Sequence, residues 1–178
     1  FPSLLCVPTT SGTGAETDST AMITDTNRAM KYCVWHPLLK PKLSLLDPEL
    51  TLGLPRNLTA WTGIDSLVHA LESYFVPRTH PMCDGIALQA LTIIRTWLPT
   101  VVNEPNNLEA RGAMQIGSCM AGVAFSKGLG LVHSISHAVG AKYDQHHGLI
   151  NAIALPAVLR FNESTISLKC AEIMNCLN

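Results

Sequence analysis

Gly63-Ile64-Asp65-Ser66-Leu67-Val68-His69-Ala70-Leu71-Glu72 decides how this chain reads. Apolar residues recur at helical spacing through residues 58–76, which predicts an α-helix there. Asp65 and His69 stand four apart, so on that helix they share one face, one turn apart. Ile64, Leu67, Val68 and Leu71 flank them. The pair therefore sits beside a packed surface, where an unpaired carboxylate is costly. A bound metal would remove that cost; the plainer alternative is an i,i+4 ion pair worth roughly 0.2–0.5 kcal/mol.

Working outward, the chain after this helix stays helical. Residues 84–100 carry Ile86, Ala90, Ile94 and Trp97 on one side. Asn106 and Glu109 resemble a capping box opening a helix to about Ser126, with Gly117, Ala121 and Ala124 on a face that permits close packing. Further helices are expected over 130–143, 148–161 and 164–177, about six in all. The region before the opening motif has a shorter period. Leu4-Leu5-Cys6-Val7 reads as a buried strand stopped by Pro8. Residues 20–24 and 31–35 read as the arms of a hairpin turning at 25–28, and 43–46 as another strand. Asp47 is an N-cap with Pro48 at the first position of a helical turn. The fold class expected is mainly α: a helical metal-binding domain preceded by a short β-hairpin segment.

His133 and His137 repeat the one-turn spacing, off the apolar stripe of Val132, Ile135 and Val139. His146-His147-Gly148 follows a short loop, where it could also be a polar helix start. His36 and His80 stand beside prolines in expected loops and read as structural or incidental. Asp65, His69, His133, His137 and His147 fall on two helices and an adjoining loop, and three nitrogens with one oxygen suit a first-row divalent ion with open coordination positions, a catalytic rather than a cysteine-closed structural pattern. The loop Thr9-Thr10-Ser11-Gly12-Thr13-Gly14-Ala15-Glu16 offers hydroxyls and backbone N–H groups that could face a phosphate or nicotinamide ribose, or simply form a turn. Gly128-Leu129-Gly130 lacks a third glycine in register and a preceding strand, so no complete dinucleotide fold is visible.

Bulk properties exclude several classes. The 178 residues are 47% apolar and 14% charged, with a net charge of −1, and no Lys/Arg run marks a nucleic-acid or anionic-membrane surface. So low a charge implies extensive internal packing or a surface that meets another domain. No apolar stretch is expected to reach the roughly 18–20 residues that span a bilayer, and the N-terminus does not read as a signal peptide. The six cysteines form no C-x-x-C pair and are expected as small buried hydrophobes in a reducing cytoplasm.

The three motifs, 8–16, 63–74 and 128–137 with His147-Gly148, closely resemble those of the iron-containing (group III) alcohol dehydrogenases, which have a dehydroquinate synthase-like fold. The resemblance runs from about Leu5 to Asn162. It implies metal ligation by Asp65, His69, His133 and His147, proton transfer through His137, and contact of Thr9, Thr10, Thr13 and Lys31 with NAD or NADP. It implies Fe2+, with Zn2+ possible, and interconversion of a primary alcohol and its aldehyde, the metal polarising the alcohol oxygen. Residues 1–50 would be the C-terminal edge of an α/β nucleotide-binding domain and 51–178 a helical catalytic domain, incomplete at its C-terminus. The family's Gly-Gly-Gly-Ser phosphate loop is absent, so the chain looks like the middle of such an enzyme and is expected to be inactive alone. The full enzyme is expected to be a cytoplasmic homodimer, without nucleic-acid or membrane partners. Rival readings are a zinc polyol dehydrogenase of glycerol dehydrogenase type, a metal hydrolase (for which an H-E-x-x-H base is lacking) and a non-catalytic metal-binding helical module.

Overall fold

The computed structural model describes residues 2–28 and 30–177. Among these are four short strands followed by five α-helices. β1 (Leu5–Cys6) pairs in parallel with β4 (Leu43–Ser44). Between them lies the antiparallel hairpin β2 (Thr20–Asp25) and β3 (Met30–Trp35), in register Thr20 opposite Trp35 and Asp25 opposite Met30. Asp25 forms the turn, its Oδ1 accepting from Asn27 N at 2.9 Å and Arg28 N at 3.2 Å.

The helices are α1 (Arg56–Phe75), α2 (Pro81–Asn103), α3 (Leu108–Ala124), α4 (Leu131–Tyr143) and α5 (His147–Leu177). α1 packs against α2, α3 and α5, while α4 packs against α5. The larger core joins Ala70 and Tyr74 of α1, Ala87, Leu91 and Ile94 of α2, and Met114 and Ala121 of α3. A smaller cluster of Val68, Val132 and Val158 seats α4 between α1 and α5. Gly117 permits the α2–α3 approach, since a Cβ there would stand 2.9 Å from Ile94.

Several expectations need correction. The two helices expected over 148–161 and 164–177 are one 31-residue helix, α5. Asn162 and Ser164 are weak helix formers, but Val158, Ile166 and Ile173 bury one unbroken stripe across them. Asn107, not Asn106, caps α3, its side chain accepting from Ala110 N. Glu109 therefore falls one place short of a capping-box position. α2 starts three residues earlier than expected, with His80 as its cap accepting from Cys83 N. His36 likewise caps the short turn at Pro37–Leu39. β1 is not buried: Leu4, Leu5 and Val7 are exposed, because only β4 lies beside it. Of the cysteines only Cys83 is buried, and all six are free. α2 is, by length and composition, apolar enough to cross a membrane; its apolarity serves the core it shares with α1 and α3.

Candidate metal centre

The loop between β1 and β2 lies over the helices because two glycines let it. Gly14 adopts a left-handed φ of 62°, and a Cβ there would come within 2.7 Å of Gly122 Cα on α3. On the other side, Ser66 Oγ of α1 donates to the carbonyls of Ser11 at 3.0 Å and Gly12 at 3.1 Å. The loop and the hairpin thus roof a cleft of about 680 Å³ whose floor is α1 and α4.

On that floor Asp65 and His69 project from α1, His133 from α4, and His147 from the first turn of α5. The Nε2 atoms of His147, His133 and His69 stand 3.4, 3.6 and 3.9 Å from Asp65 Oδ1. These are too long for hydrogen bonds. Metal bonds of roughly 2.1 Å place neighbouring ligands of a tetrahedron roughly 3.4 Å apart. Asp65, His133 and His147 each offer one ligand atom within 4.8 Å of the others. His69 stands slightly aside, its ring stacked on His133 at 4.5 Å and backed by Phe125 at 4.9 Å. His133 Nε2 is buried without a hydrogen-bond partner, a cost that a metal bond would remove. The donor set therefore fits a divalent ion.

The electrostatics agree. Burial pushes His69 and His147 down to about 4, so both are neutral with free lone pairs at neutral pH. Burial alone would raise Asp65, but the surrounding imidazoles outweigh it and hold the carboxyl at about 2. Burial opposes charge on His133 too, yet Asp65 and Glu72 overcome it and raise its pKa.

Behind these residues lie three that the one-turn spacing did not flag. Glu72 Oε2 is 2.7 Å from His133 Nδ1, and the same carboxylate accepts from the backbone N–H groups of Gly130, Val132 and His133. Ser136 gives its proton to the His133 carbonyl, leaving its oxygen to accept from His147 Nδ1 at 3.1 Å. Fully buried Asn151 donates to Asp65 Oδ1 at 2.7 Å. Only Glu72 left a sequence signal: with Asp65 and His69 it completes an i, i+4, i+7 face.

His137 lies half-buried on the cleft wall, its ring 5.0 Å from that of His147. Burial, then the charges of His133 and Lys31, lower its pKa. Thr13 and Lys31 line the same cleft from above. Thr9 and Thr10 do not; they lie upstream in the loop, Thr9 exposed and Thr10 half-buried.

Fold and cleft define a helical domain with a candidate divalent-metal centre roofed by a hairpin and a glycine-bearing loop. The model of the Fe-containing alcohol dehydrogenase family's C-terminal region matches residues 59–178, and the iron-containing alcohol dehydrogenase model matches residues 2–48. The chain belongs to the iron-containing alcohol dehydrogenase family. It is 44% identical to the NAD-dependent methanol dehydrogenase of Bacillus methanolicus over 89% of this chain and 42% of that protein. The crystal structure of a 1,3-propanediol oxidoreductase superposes with a TM-score of 0.95 at 37% identity, covering 100% of this chain and 47% of that one. The sulfoacetaldehyde reductase of Bifidobacterium kashiwanohense, solved with NAD+, gives 0.85 at 32% identity, over 90% of this chain and 43% of that one. The chain thus spans about half the length of the relatives it matches.

Proposed function

We propose that this chain supplies the metal-binding, proton-transferring half of an NAD(P)-dependent alcohol dehydrogenase acting on a primary alcohol or its aldehyde. The observation that carries this reading is the convergence of three imidazole Nε2 atoms on one buried Asp65 oxygen, at 3.4–3.9 Å, in a cleft shared with His137 and Lys31. Asp65, His69, His133 and His147 would hold Fe2+ or Zn2+, which suit this donor set equally. When bound, the ion supplies Lewis acidity that lowers the pKa of an alcohol oxygen.

The chain's own groups do the rest. Asp65 is ionised and His69 and His147 neutral at neutral pH, so these three need no deprotonation, whereas His133, whose pKa Asp65 and Glu72 raise, would give up its Nε2 proton when the ion binds. His137, with its lowered pKa, is a neutral imidazole able to accept the hydroxyl proton and pass it to solvent. Lys31 and Thr13 line the cleft's upper wall, where in this reading the hydride acceptor would enter. Thr9 and Thr10 would reach the cofactor only along its length, away from the metal. In this reading residues 1–50 are the edge of the nucleotide-binding domain and 51–178 the helical catalytic domain. The working enzyme is a cytoplasmic homodimer, and the 178 residues alone do not turn over alcohol.

The test is metal content and turnover in a protein of the relatives' full length carrying this chain. His133→Ala and Asp65→Ala should lose metal and activity together, whereas stoichiometric metal in both would overturn the ligand assignment. His137→Ala should keep its metal and turn over more slowly. An unchanged rate across pH would remove His137 from the proton path.

A further inference from the structure

Glu72 touches both a metal-facing histidine and the start of the helix that carries it. Glu72 is 5% exposed, and its carboxylate accepts four hydrogen bonds from the start of α4. Oε1 accepts from Val132 N at 2.7 Å; Oε2 accepts from Gly130 N at 3.0 Å, from His133 N at 3.3 Å and from the His133 ring at 2.7 Å. Gly130 is the N-cap of α4 and Val132 and His133 lie in its first turn, so the carboxylate sits where helix N–H groups lack partners and the helix dipole favours negative charge. Glycine at 130 is what admits it: a Cβ there would stand 2.7 Å from Glu72 Oε1 and 3.1 Å from its Cδ.

We infer that Glu72 is a positioning residue that couples the docking of α4 to metal binding. By accepting the Nδ1 proton of His133 it selects the tautomer whose Nε2 lone pair faces Asp65, and by capping α4 it fixes where that imidazole stands. Carboxylate–histidine–metal relays of this kind commonly change metal affinity 10–100-fold when the outer group is altered. Gln cannot substitute. It would keep one acceptor oxygen but turn an amide NH2 toward backbone N–H groups, donor against donor.

This inference rests on the metal reading above, and the experiment separates the two. Co2+ titration of this chain, followed by the visible d–d bands, gives the affinity of the unsubstituted protein. Glu72→Gln should bind Co2+ about 10–100-fold more weakly. Gly130→Ala should weaken binding in the same direction, because it displaces the carboxylate without changing its chemistry. In the Zn2+-loaded unsubstituted chain, nitrogen-15 spectra should show His133 with a proton on Nδ1, far downfield and slow to exchange. A capping role alone would lower the melting temperature of both variants without moving Co2+ affinity, and that result would overturn the inference while leaving the metal reading intact. So would a bare Nδ1 on His133, a measurement that needs no variant to fold. No Co2+ binding by the unsubstituted chain would overturn both.

Discussion

At the scale of single residues, Lys127 is a charge buried away from the candidate metal centre. Its side chain is fully buried, donating to the Tyr74 carbonyl at 3.3 Å and paired with Asp84 Oδ1. Lys169 donates to the Tyr74 and Val76 carbonyls at 2.7 and 2.8 Å, so two ammonium groups serve the C-terminal end of α1. Removing one partner of a buried pair strands the other charge at a cost of roughly 3–5 kcal/mol. The side chain of Asp84 is 21% exposed, so Asp84→Asn should cost about 3 kcal/mol, the lower end of that range, read as a shift of the urea midpoint at neutral pH. Burial works to raise the Asp84 pKa, but Lys127 overcomes it and lowers it. A depressed carboxylate stabilises above its unfolded pKa and loses that contribution as pH falls through the folded value. The gap between the unsubstituted chain and Asp84→Asn should therefore be full at neutral pH and close below about pH 4. A gap that does not narrow as the pH falls below about 4 would assign the loss to packing instead. The same scale shows what a sequence can carry: Asp65–His69 and His133–His137 were legible because one-turn spacing lies within a single helix. Glu72 was not read as a partner of His133, because 61 residues separate them and only the folded bundle closes that distance.

At the scale of elements, helices were legible in type but not in number or at every boundary, about six being expected where five are described. Burial of one stripe overrode the weak helix formers in α5, and a one-residue difference in cap choice moved the start of α3. The loop from β1 to β2 was legible as a glycine-bearing turn, yet its position was not. That position depends on Gly122 in the last turn of α3, where a Cβ would stand 2.8 Å from Gly14 O and 2.5 Å from Thr17 Oγ1. Nothing in the helical pattern of α3 separates this glycine from Gly112, which faces open contacts at 3.8 Å. Gly122→Ala should cost about 2 kcal/mol by overpacking and lift the loop, increasing its susceptibility to limited proteolysis around residues 9–18. Gly112→Ala should be neutral or mildly stabilising, since alanine favours a helix interior by about 1 kcal/mol where space allows. Equal effects of the two substitutions would mean that the loop does not rest on α3.

At the scale of the molecule, the low charge content foreshadowed surfaces that this chain leaves apolar. Leu5, Ile23 and Trp35 of the strand segment and Phe161 and Leu168 of α5 are all more than half exposed. What composition could not reveal is that the buried apolar residues form two cores of unequal size. The larger one holds α1, α2, α3 and the end of α5 together, while α4 depends on Val132 and its few apolar neighbours, on the Glu72 carboxylate and on the side chains of the candidate metal centre. The proposed ligands come from α1, α4 and α5, so a bound ion would join α4 to elements it otherwise meets through that small cluster and the Glu72 hydrogen bonds. Ligand binding stabilises the native state by RT ln(1 + [L]/Kd), about 2.7 kcal/mol at a hundredfold excess over Kd. Regions held by few buried contacts open locally without global unfolding. Zn2+ should therefore slow amide hydrogen exchange most in α4 and the first turn of α5. Exchange in the α2–α3 pair, whose core contains no ligand, should slow only as far as it proceeds through global unfolding. With His133→Ala the selective protection of α4 should vanish at any Zn2+ concentration that leaves the larger core unchanged. Equal slowing across α2, α3 and α4 would show instead that the two cores open together, and that the ion stabilises the whole bundle rather than clamping one helix to it.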